Sequence, residues 1–398
     1  MTPPLRVDRQ KVMAFRLASH HLAHRLPSGS ILDAAACGIE NFPPGSAALA
    51  LNARVRDLTP VEVERAITVD RTLIQMRSLR TAPYIVPTRD AGIFTTGLLP
   101  EDEESLRSFI PGAGPALDRI GVDGTEVVEW VSEDLLDVLD ARVVPFRQLS
   151  AELTDRVTRR LSPSQLEGWK SASWYGPNNC LGEAVVHFAL YVVALKGTFC
   201  FAPREGNEAS FVRIDQWLGG PLPDVDPAMA RAQLVRRYLR CYGPSTARNF
   251  GEWAGISPIA TGKAWSLVSA DLAEVDFDGK RAWLHRDDLV DFDSPSATMG
   301  VRLLPPHDPY LALKDKETLI PDKSLQRRMW RIVGNPGAVL SDGRIVGAWR
   351  PQKKGRRLIL KADLFESLGA NSRLELEAEA VLIAPFKGCS EAEVLYAS

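Results

Sequence analysis

Long apolar segments are absent from this chain of 398 residues. No run reaches the roughly 18 consecutive apolar residues that a transmembrane helix requires, so we expect no membrane partner. The N-terminal region carries scattered charges such as Arg6, Arg9 and Lys11, and it lacks the apolar centre of a secretory signal peptide. These two absences predict a cytoplasmic protein.

Cysteine is scarce and irregularly spaced. The five cysteines are Cys37, Cys180, Cys200, Cys241 and Cys389. Their odd number and wide separation indicate neither a zinc site nor a disulfide framework. His20, His21 and His24 have the spacing of metal ligands on a helix, but no carboxylate motif accompanies them. We therefore expect no metal and no cofactor.

Charged residues are present in ordinary number but are unevenly distributed. Apolar residues make up 45% of the chain and charged residues 25%, as in a globular protein of roughly two to four domains. The formal net charge is −2, yet the stretch 101–140 holds twelve acids against Arg107 and Arg119. We expect this region to repel a polyanion that another region attracts, which favours a single orientation of the protein on that polyanion.

The attracting region is residues 327–361, called here the basic segment. It contains ten Lys and Arg residues and one acid, Asp342, for a local balance of +9. Each Lys or Arg that meets a phosphate releases condensed counterions, so the segment predicts contact with a nucleic-acid backbone. Its candidate DNA-binding residues are Arg327, Arg328, Arg331, Arg350, Lys353, Lys354, Arg356 and Arg357. A solvated surface run without a ligand is the alternative.

The secondary-structure signals repeat along the chain. Three times, helical patterns precede a short pair of strands, which is the plan of the winged helix, a variant of the helix-turn-helix. We predict such units at 1–98, 99–222 and 223–298, followed by a β-rich domain at 299–398. Turn dipeptides predict hairpins at Asp278-Gly279 and Asp342-Gly343, and residues 352–357 predict another turn with a cationic tip. The expected fold class is α+β.

Several segments resemble one known family, in the same order along the chain. Residues 236–247, RRYLRCYGPSTA, are similar to the RRYL..YGPAT helix start of the AlkZ/YcaQ-type family of winged-helix DNA-binding proteins, which includes bacterial DNA glycosylases. Residues 303–311 (LLPPHDPYL) and 342–350 (DGRIVGAWR) resemble the family motifs LLP.fD.yL and DG.vvG.WR. Residues 38–49 (GIENFPPGSAAL) align with the motif GLQ.Q.....A.L.

This resemblance implies both a scaffold and a reaction. The scaffold is a C-shaped array of three tandem winged-helix units plus a C-terminal β domain, with DNA held in the concave face. The reaction is excision of N7-alkylated purines, including bulky antibiotic adducts, from double-stranded DNA. Arg54 and residues 80–87 align with the family segments aR and RGTLHLVP, which adds Arg54, Arg80 and Tyr84 to the candidate DNA-binding residues.

The chain departs from the family at the active motif. Where the family has Gln-x-Gln, this sequence has Glu40, Asn41 and Phe42, and Tyr84 replaces a histidine. We predict Glu40 and Asn41 as the catalytic residues. A carboxylate can orient a water molecule, accept its proton and stabilise an oxocarbenium-like sugar cation. An N7-alkylguanine is already cationic, so its departure needs little acid assistance.

Other roles stay open at these positions. Glu40 can be a solvated acid before a proline turn, and Asn41 can cap that turn. Phe42 can belong to the core or act as a wedge against an unstacked base. His307 and Asp308 form either a catalytic pair or a structural hydrogen bond.

The leading hypothesis is a monofunctional DNA glycosylase that acts as a monomer, because no zipper or coiled-coil repeat is present. Trp330 and Trp349, which lie among the arginines, would then either stack on bases or pack in the core. The runner-up is a non-catalytic winged-helix DNA-binding protein, such as a regulator or an adduct-sequestering homologue. A structural protein with an incidental basic patch is the third alternative.

Overall fold

The structure, a computed structural model, describes residues 5–174, 176, 179–204, 206–293, 300–312 and 314–397. In chain order, the α-helices of these residues are α1 (Arg9–Ser19), α2 (Ile31–Ala34), α3 (Ser46–Asn52), α4 (Pro60–Thr68), α5 (Ala91–Thr95), α6 (Glu103–Phe109), α7 (Gly114–Ile120), α8 (Gly124–Val138), α9 (Phe146–Thr158), α10 (Pro163–Trp169), α11 (Leu181–Leu195), α12 (Ile214–Leu218), α13 (Pro227–Tyr242), α14 (Ala247–Ala254), α15 (Pro258–Ser266), α16 (Leu289–Asp293), α17 (Lys316–Leu319), α18 (Lys323–Met329) and α19 (Ala370–Ile383). None of them combines the length and the apolar character of a membrane span.

The strands of the same described residues form four sheets. The strands are β1 (Leu5–Val7), β2 (Ile39–Glu40), β3 (Leu73–Arg77), β4 (Pro83–Pro87), β5 (Val144–Pro145), β6 (Phe199–Phe201), β7 (Ser210–Arg213), β8 (Leu272–Phe277), β9 (Lys280–His285), β10 (Val301–Leu304), β11 (Gly337–Ser341), β12 (Arg344–Lys354), β13 (Arg357–Leu364) and β14 (Glu391–Tyr396). Three sheets have three strands each, in the orders β2-β4-β3, β5-β7-β6 and β1-β8-β9. The fourth has the order β10-β11-β12-β13-β14. The predicted mixture of helices and sheets is confirmed.

Turn chemistry accounts for the hairpins that the sequence predicts. Asp278 and Gly279 have φ angles of 50° and 74°, and Asp342 and Gly343 have φ angles of 46° and 77°. Two successive residues with positive φ give the tight turn that matches the twist of paired strands, and Asp-Gly adopts it readily. The predicted hairpins β8–β9 and β11–β12 are confirmed, and the predicted cationic turn joins β12 to β13.

The first small sheet brings the active-motif residues beside the β3–β4 hairpin. Strand β2 pairs antiparallel with β4, so that Ile39 lies opposite Ile85 and Glu40 lies opposite Tyr84. Gly38 allows the chain to enter β2 in this position, because its φ is +70° and a Cβ there would lie 2.8 Å from the ring of Phe94. A helical pattern alone does not predict the two-residue strand, whose position depends on this close approach.

The N-terminal strand does not belong to the first sheet. Strand β1 pairs in parallel with β8, with Leu5 opposite Val275. The rings of Phe15 on α1 and Phe292 on α16 lie 5.4 Å apart, in a small core that also includes residues of β8 and β9. Strand β1 thus pairs with a strand of the third predicted unit, whereas the unit boundaries, including the one at residue 98, stay predictions.

The C-terminal part is a sheet that packs against a helix. Trp349 on β12 is 1% exposed, and its indole N–H donates to the Leu304 carbonyl at 2.8 Å. Leu376 and Ile383 of α19 are buried in the same apolar cluster. The core role of Trp349 is thus confirmed. The prediction of a β-rich domain omitted α19.

Two of the cysteines are joined in the structure. Cys37 forms a disulfide with Cys241 at the end of α13, across a sequence separation of 204 residues. The expectation of no disulfide is therefore wrong for this pair. The bond connects the segment before β2 to a helix of the third predicted unit, a non-local pairing that spacing in the sequence does not reveal.

Candidate active site

Glu40 lies in a pocket of polar side chains rather than in bulk solvent. It is 9% exposed. Its Oε2 accepts a hydrogen bond from Arg80 at 3.2 Å and a longer one from the Tyr84 hydroxyl at 3.5 Å. The His307 Nδ1 lies 3.2 Å from the other oxygen, Oε1. The alternative of a solvated acid is thus excluded, because both carboxylate oxygens are held by specific partners.

Arg80 reaches Glu40 from a tight turn between β3 and β4. Arg80 and Thr81 both have positive φ angles, of 52° and 63°, which residues other than glycine adopt at an energetic cost. Arg80 also donates to the Tyr84 hydroxyl at 3.1 Å and to the Trp253 carbonyl. Gly255 permits this packing, because a Cβ there would lie about 3 Å from the Arg80 backbone. The third predicted unit therefore supports the guanidinium that holds Glu40.

Tyr84 is an interior partner of Glu40 and not a contact for DNA. It is 3% exposed, which corrects its prediction as a DNA-binding residue. Burial raises the pKa of Tyr84 to about 12, since Glu40 adds to the effect and Arg80 only partly opposes it. The phenol consequently keeps its proton at neutral pH and acts as a hydrogen-bond donor.

His307 is a site residue that the sequence interpretation left undecided. It follows β10, whose Leu304 carbonyl is fixed by Trp349, and it has a φ of 60°. Its ring meets the ring of Phe42 edge-on, with centroids 5.7 Å apart. A signal was available, because position 307 carries histidine where the family motif has an aromatic residue, alongside the departures at positions 40 and 84.

The two residues next to Glu40 in sequence have different roles. The Asn41 Oδ1 accepts hydrogen bonds from the backbone N–H groups of Gly45 and Ala47, at 2.9 and 3.2 Å. Its amide also donates to Gln75. Asn41 therefore caps the turn before α3, as the alternative proposed. Phe42 is 54% exposed, so the core alternative for this residue is wrong.

Arg54 was predicted to bind DNA, but it is buried. It is 1% exposed and forms a two-pronged ion pair with Asp308, with N–O distances of 2.7 and 2.8 Å. It also donates to the Ala50 carbonyl. The predicted phosphate contact is corrected, because both prongs of the guanidinium face a buried carboxylate. His307 and Asp308, although adjacent, therefore serve different partners.

The basic segment forms two separate surfaces. The first borders a cavity of about 570 Å³ and includes Arg327, Arg328, Arg331, Arg350 and Lys361. One member is already neutralised, because Arg328 pairs with Asp363.

The second surface is the turn between β12 and β13, where Lys354, Arg356 and Arg357 lie together. Arg357 pairs there with Glu391 and Glu393, at 3.0 and 3.4 Å. Lys353 precedes this turn, at the end of β12.

Lys314 is a further basic residue whose pKa is affected by residues of the candidate site. Burial and the nearby Arg80 lower the pKa of Lys314, whereas Glu252 and Glu40 act in the opposite direction. Of the predicted residues, the structure brings together Glu40, Arg80 and Tyr84. Arg54 pairs with Asp308, the residue after His307, and most of the predicted basic residues line other cavities.

Comparisons with known proteins agree with the resemblance in the sequence. The family model described as "DNA glycosylase AlkZ-like" matches residues 34–386. An interstrand DNA cross-link repair glycosylase of Streptomyces sahachiroi is 24% identical over 360 residues, covering 87% of this chain and 88% of that protein. The solved structure of Streptomyces sahachiroi DNA glycosylase AlkZ superposes with a TM-score of 0.74 at 21% identity, covering 99% of this chain and all of that one.

Proposed function

Because this chain belongs to the AlkZ-like family of DNA glycosylases, we propose that it hydrolyses the N-glycosidic bond of N7-alkylated purines in double-stranded DNA, with Glu40 as the catalytic residue. The observation that carries the assignment of Glu40 is its carboxylate, held by Arg80, Tyr84 and His307 at the position of the family's first glutamine. We further propose that the enzyme is monofunctional, monomeric and cytoplasmic.

The chemistry requires one well-placed negative charge. As the bond from C1′ to the base lengthens, positive charge develops on the sugar, and a fixed carboxylate stabilises it without reorganisation. Three contacts occupy the Glu40 oxygens, and a carboxylate offers roughly four acceptor positions. One position is then left for a water molecule, which Glu40 would orient towards C1′ and deprotonate.

The leaving group needs no strong acid from the protein. Alkylation at N7 gives the purine a positive charge, which bond cleavage neutralises. The Tyr84 hydroxyl, with its raised pKa, stays protonated and serves Glu40 rather than the base. Asn41, whose oxygen is used by the turn, is proposed as a positioning residue for Glu40.

The three small sheets support the proposal of winged-helix units. Each contains a hairpin of two strands and one added strand, and helices precede each hairpin in the chain. We propose that these units form a C-shaped scaffold whose concave face binds DNA, with the basic segment contacting phosphates. Because the curated relative is named for interstrand cross-link repair, cross-links through N7 are included among the proposed substrates.

The direct test uses a duplex that contains one N7-methylguanine. Incubation with the protein followed by alkali should cleave the strand at that residue, because alkali converts each abasic site into a break. A duplex with unmodified guanine is the control. If the wild-type protein leaves no alkali-sensitive site in N7-methylguanine DNA, the proposed substrate class is wrong.

Replacing His307 tests whether this residue holds the Glu40 carboxylate in position. We expect His307→Phe, which restores an aromatic residue like that of the family motif, to slow single-turnover base release by about tenfold, because Glu40 loses its partner at Oε1. The variant His307→Gln keeps a donor and should retain most of the rate. Equal rates for His307→Phe and wild type would contradict a positioning role.

The basic turn provides a prediction about salt. Lys354 and Arg356 have no ion-pair partner among the residues that the structure describes, whereas Arg357 is neutralised by two glutamates. We expect replacing Lys354 and Arg356 with Gln to reduce the slope of log affinity against log salt by about 1.8. Arg357→Gln is the matched control and should change the slope less. An unchanged slope in the double variant would remove this turn from the DNA interface.

A further inference from the structure

A large cleft lies next to the candidate site and has no role in the chemistry described so far. Its volume is about 890 Å³. Its walls come from all three predicted units: the turn at Arg80 and Thr81, residues 108–112 at and after the end of α6, helix α11, and helices α14 and α15. Volumes of roughly 300–1,000 Å³ are typical of sites that hold drug-sized molecules.

The lining of the cleft favours a flat apolar group. Phe188 and Tyr191 on α11 contribute two rings that meet edge-on, with centroids 5.9 Å apart. Pro111 and Pro258 add rigid apolar surface. Among the described residues that line the cleft, the charged ones are Arg80 and the Arg248–Glu252 pair, whose side chains are 2.9 Å apart. The Arg77 guanidinium lies 4.5 Å from the Tyr191 ring and covers one of its faces. Aromatic rings pack against other flat apolar groups in offset or edge-on arrangements, so this lining suits a planar apolar ligand.

Arg80 connects this cleft to Glu40. Its side chain forms part of the cleft wall, and its guanidinium donates to the Glu40 Oε2 at 3.2 Å. The cleft and the carboxylate therefore lie within the length of one arginine side chain.

The chemistry of the substrate places an N7 substituent near this opening. In a purine nucleotide, N7 is separated from the glycosidic N9 by the single atom C8. A group attached to N7 therefore begins close to C1′, where Glu40 must act. A methyl group ends there, whereas a larger substituent has to extend into whatever space adjoins Arg80.

We propose that the cleft binds the aromatic or polycyclic body of a bulky N7 substituent while Glu40 acts at C1′ of the same nucleotide. This inference depends on the proposed function, and it adds a subsite that small adducts do not use. The binding energy of the remote group would hold the nucleotide against the carboxylate, so bulky adducts gain rate that methylated purines do not.

Gly262 offers a way to fill the cleft without disturbing the core. It lies on α15, and a Cβ added there meets no atom within 4 Å. The variant Gly262→Phe would place a ring in the cleft, and removing a glycine from a helix favours folding. Ser266→Phe adds the same ring to the same helix at an exposed position that does not line the cleft, which makes it a matched control.

The experiment compares two duplexes, one with N7-methylguanine and one with an N7-(naphthylmethyl)guanine at the same position. We expect Gly262→Phe to lower kcat/KM for the naphthylmethyl adduct by about tenfold or more, the range that apolar pocket contacts supply. Release of N7-methylguanine should stay within about twofold of wild type, because that substrate does not enter the cleft. Ser266→Phe should leave both rates unchanged.

Each other outcome has a definite meaning. If Gly262→Phe releases both adducts at wild-type rates, or loses both equally, the cleft does not select the substituent and the inference is overturned. If wild type releases N7-methylguanine but not the larger adduct, the inference is also overturned. If wild type releases neither, the proposed function itself fails. If Gly262→Phe does not fold, the same comparison is made with Ala247→Leu, which adds volume to the cleft from α14.

Discussion

Replacing Glu40 with glutamine should slow base release from N7-methylguanine DNA by about 100-fold, while the Kd for the same DNA stays nearly constant. The substitution preserves shape and leaves an oxygen that accepts from Arg80, but it removes the negative charge. Because the sugar cation exists only in the transition state, the loss should appear in the single-turnover rate and not in binding. Quenched-flow or manual sampling of abasic-site formation measures it.

This variant is informative because glutamine is the residue that the family motif has at this position. If orienting a water molecule were sufficient, Glu40→Gln would be as fast as wild type, and the electrostatic role of the carboxylate would be wrong. Glu40→Ala, which can neither orient water nor carry charge, should be slower still. Glu64→Gln on the exposed face of α4 is the control for removing one acid from the same unit.

Removing Arg54 should destabilise the fold by about 3–5 kcal/mol, the usual cost of leaving one member of a buried ion pair uncompensated. The variant Arg54→Leu leaves the Asp308 carboxylate without its two charged hydrogen bonds in an environment that is 1% exposed. Asp308 directly follows His307 and also accepts from the backbone N–H of Tyr310, so the loss should disturb the site as well. Urea unfolding followed by circular dichroism measures the change.

Two further variants test whether the lost stability comes from the Arg54–Asp308 ion pair. Arg56→Leu removes an exposed arginine from the same loop and should change stability by less than about 0.5 kcal/mol. The double variant Arg54→Leu with Asp308→Asn removes both charges, so it should recover much of the stability lost in the single variant. If Arg54→Leu instead weakened DNA binding at unchanged stability, the original prediction of a DNA contact would be restored.

Local features of the fold were predictable from the sequence. Thr59 and Glu62 form the capping box at the start of α4, where threonine, proline and an early acid predict a helix start. The Asp-Gly turns predict the hairpins because few residues accept positive φ. Each of these features depends on interactions between residues a few positions apart, which a sequence displays directly.

The candidate site was predictable only in part. Position 40 was identified through the family motif, and residues 80 and 84 through alignment with a strand. The contact between Glu40 and His307 joins residues 267 positions apart in the chain, and no periodicity encodes that. The same limit explains the error at Arg54, because an arginine in a loop reads as exposed until its distant carboxylate is known. The Cys37–Cys241 bond is missed for the same reason.

Strand β1 is synthesised before the other strands described here, but it can pair only late, because its partner is β8. Leu5 leaves the ribosome long before Val275, its partner in the sheet. The first strand to be synthesised therefore waits, with its hydrogen-bonding edge unused, until most of the chain has followed. This sheet can therefore be completed only after residue 285 has been synthesised, and a chain truncated before α14 lacks the Trp253 carbonyl that supports Arg80.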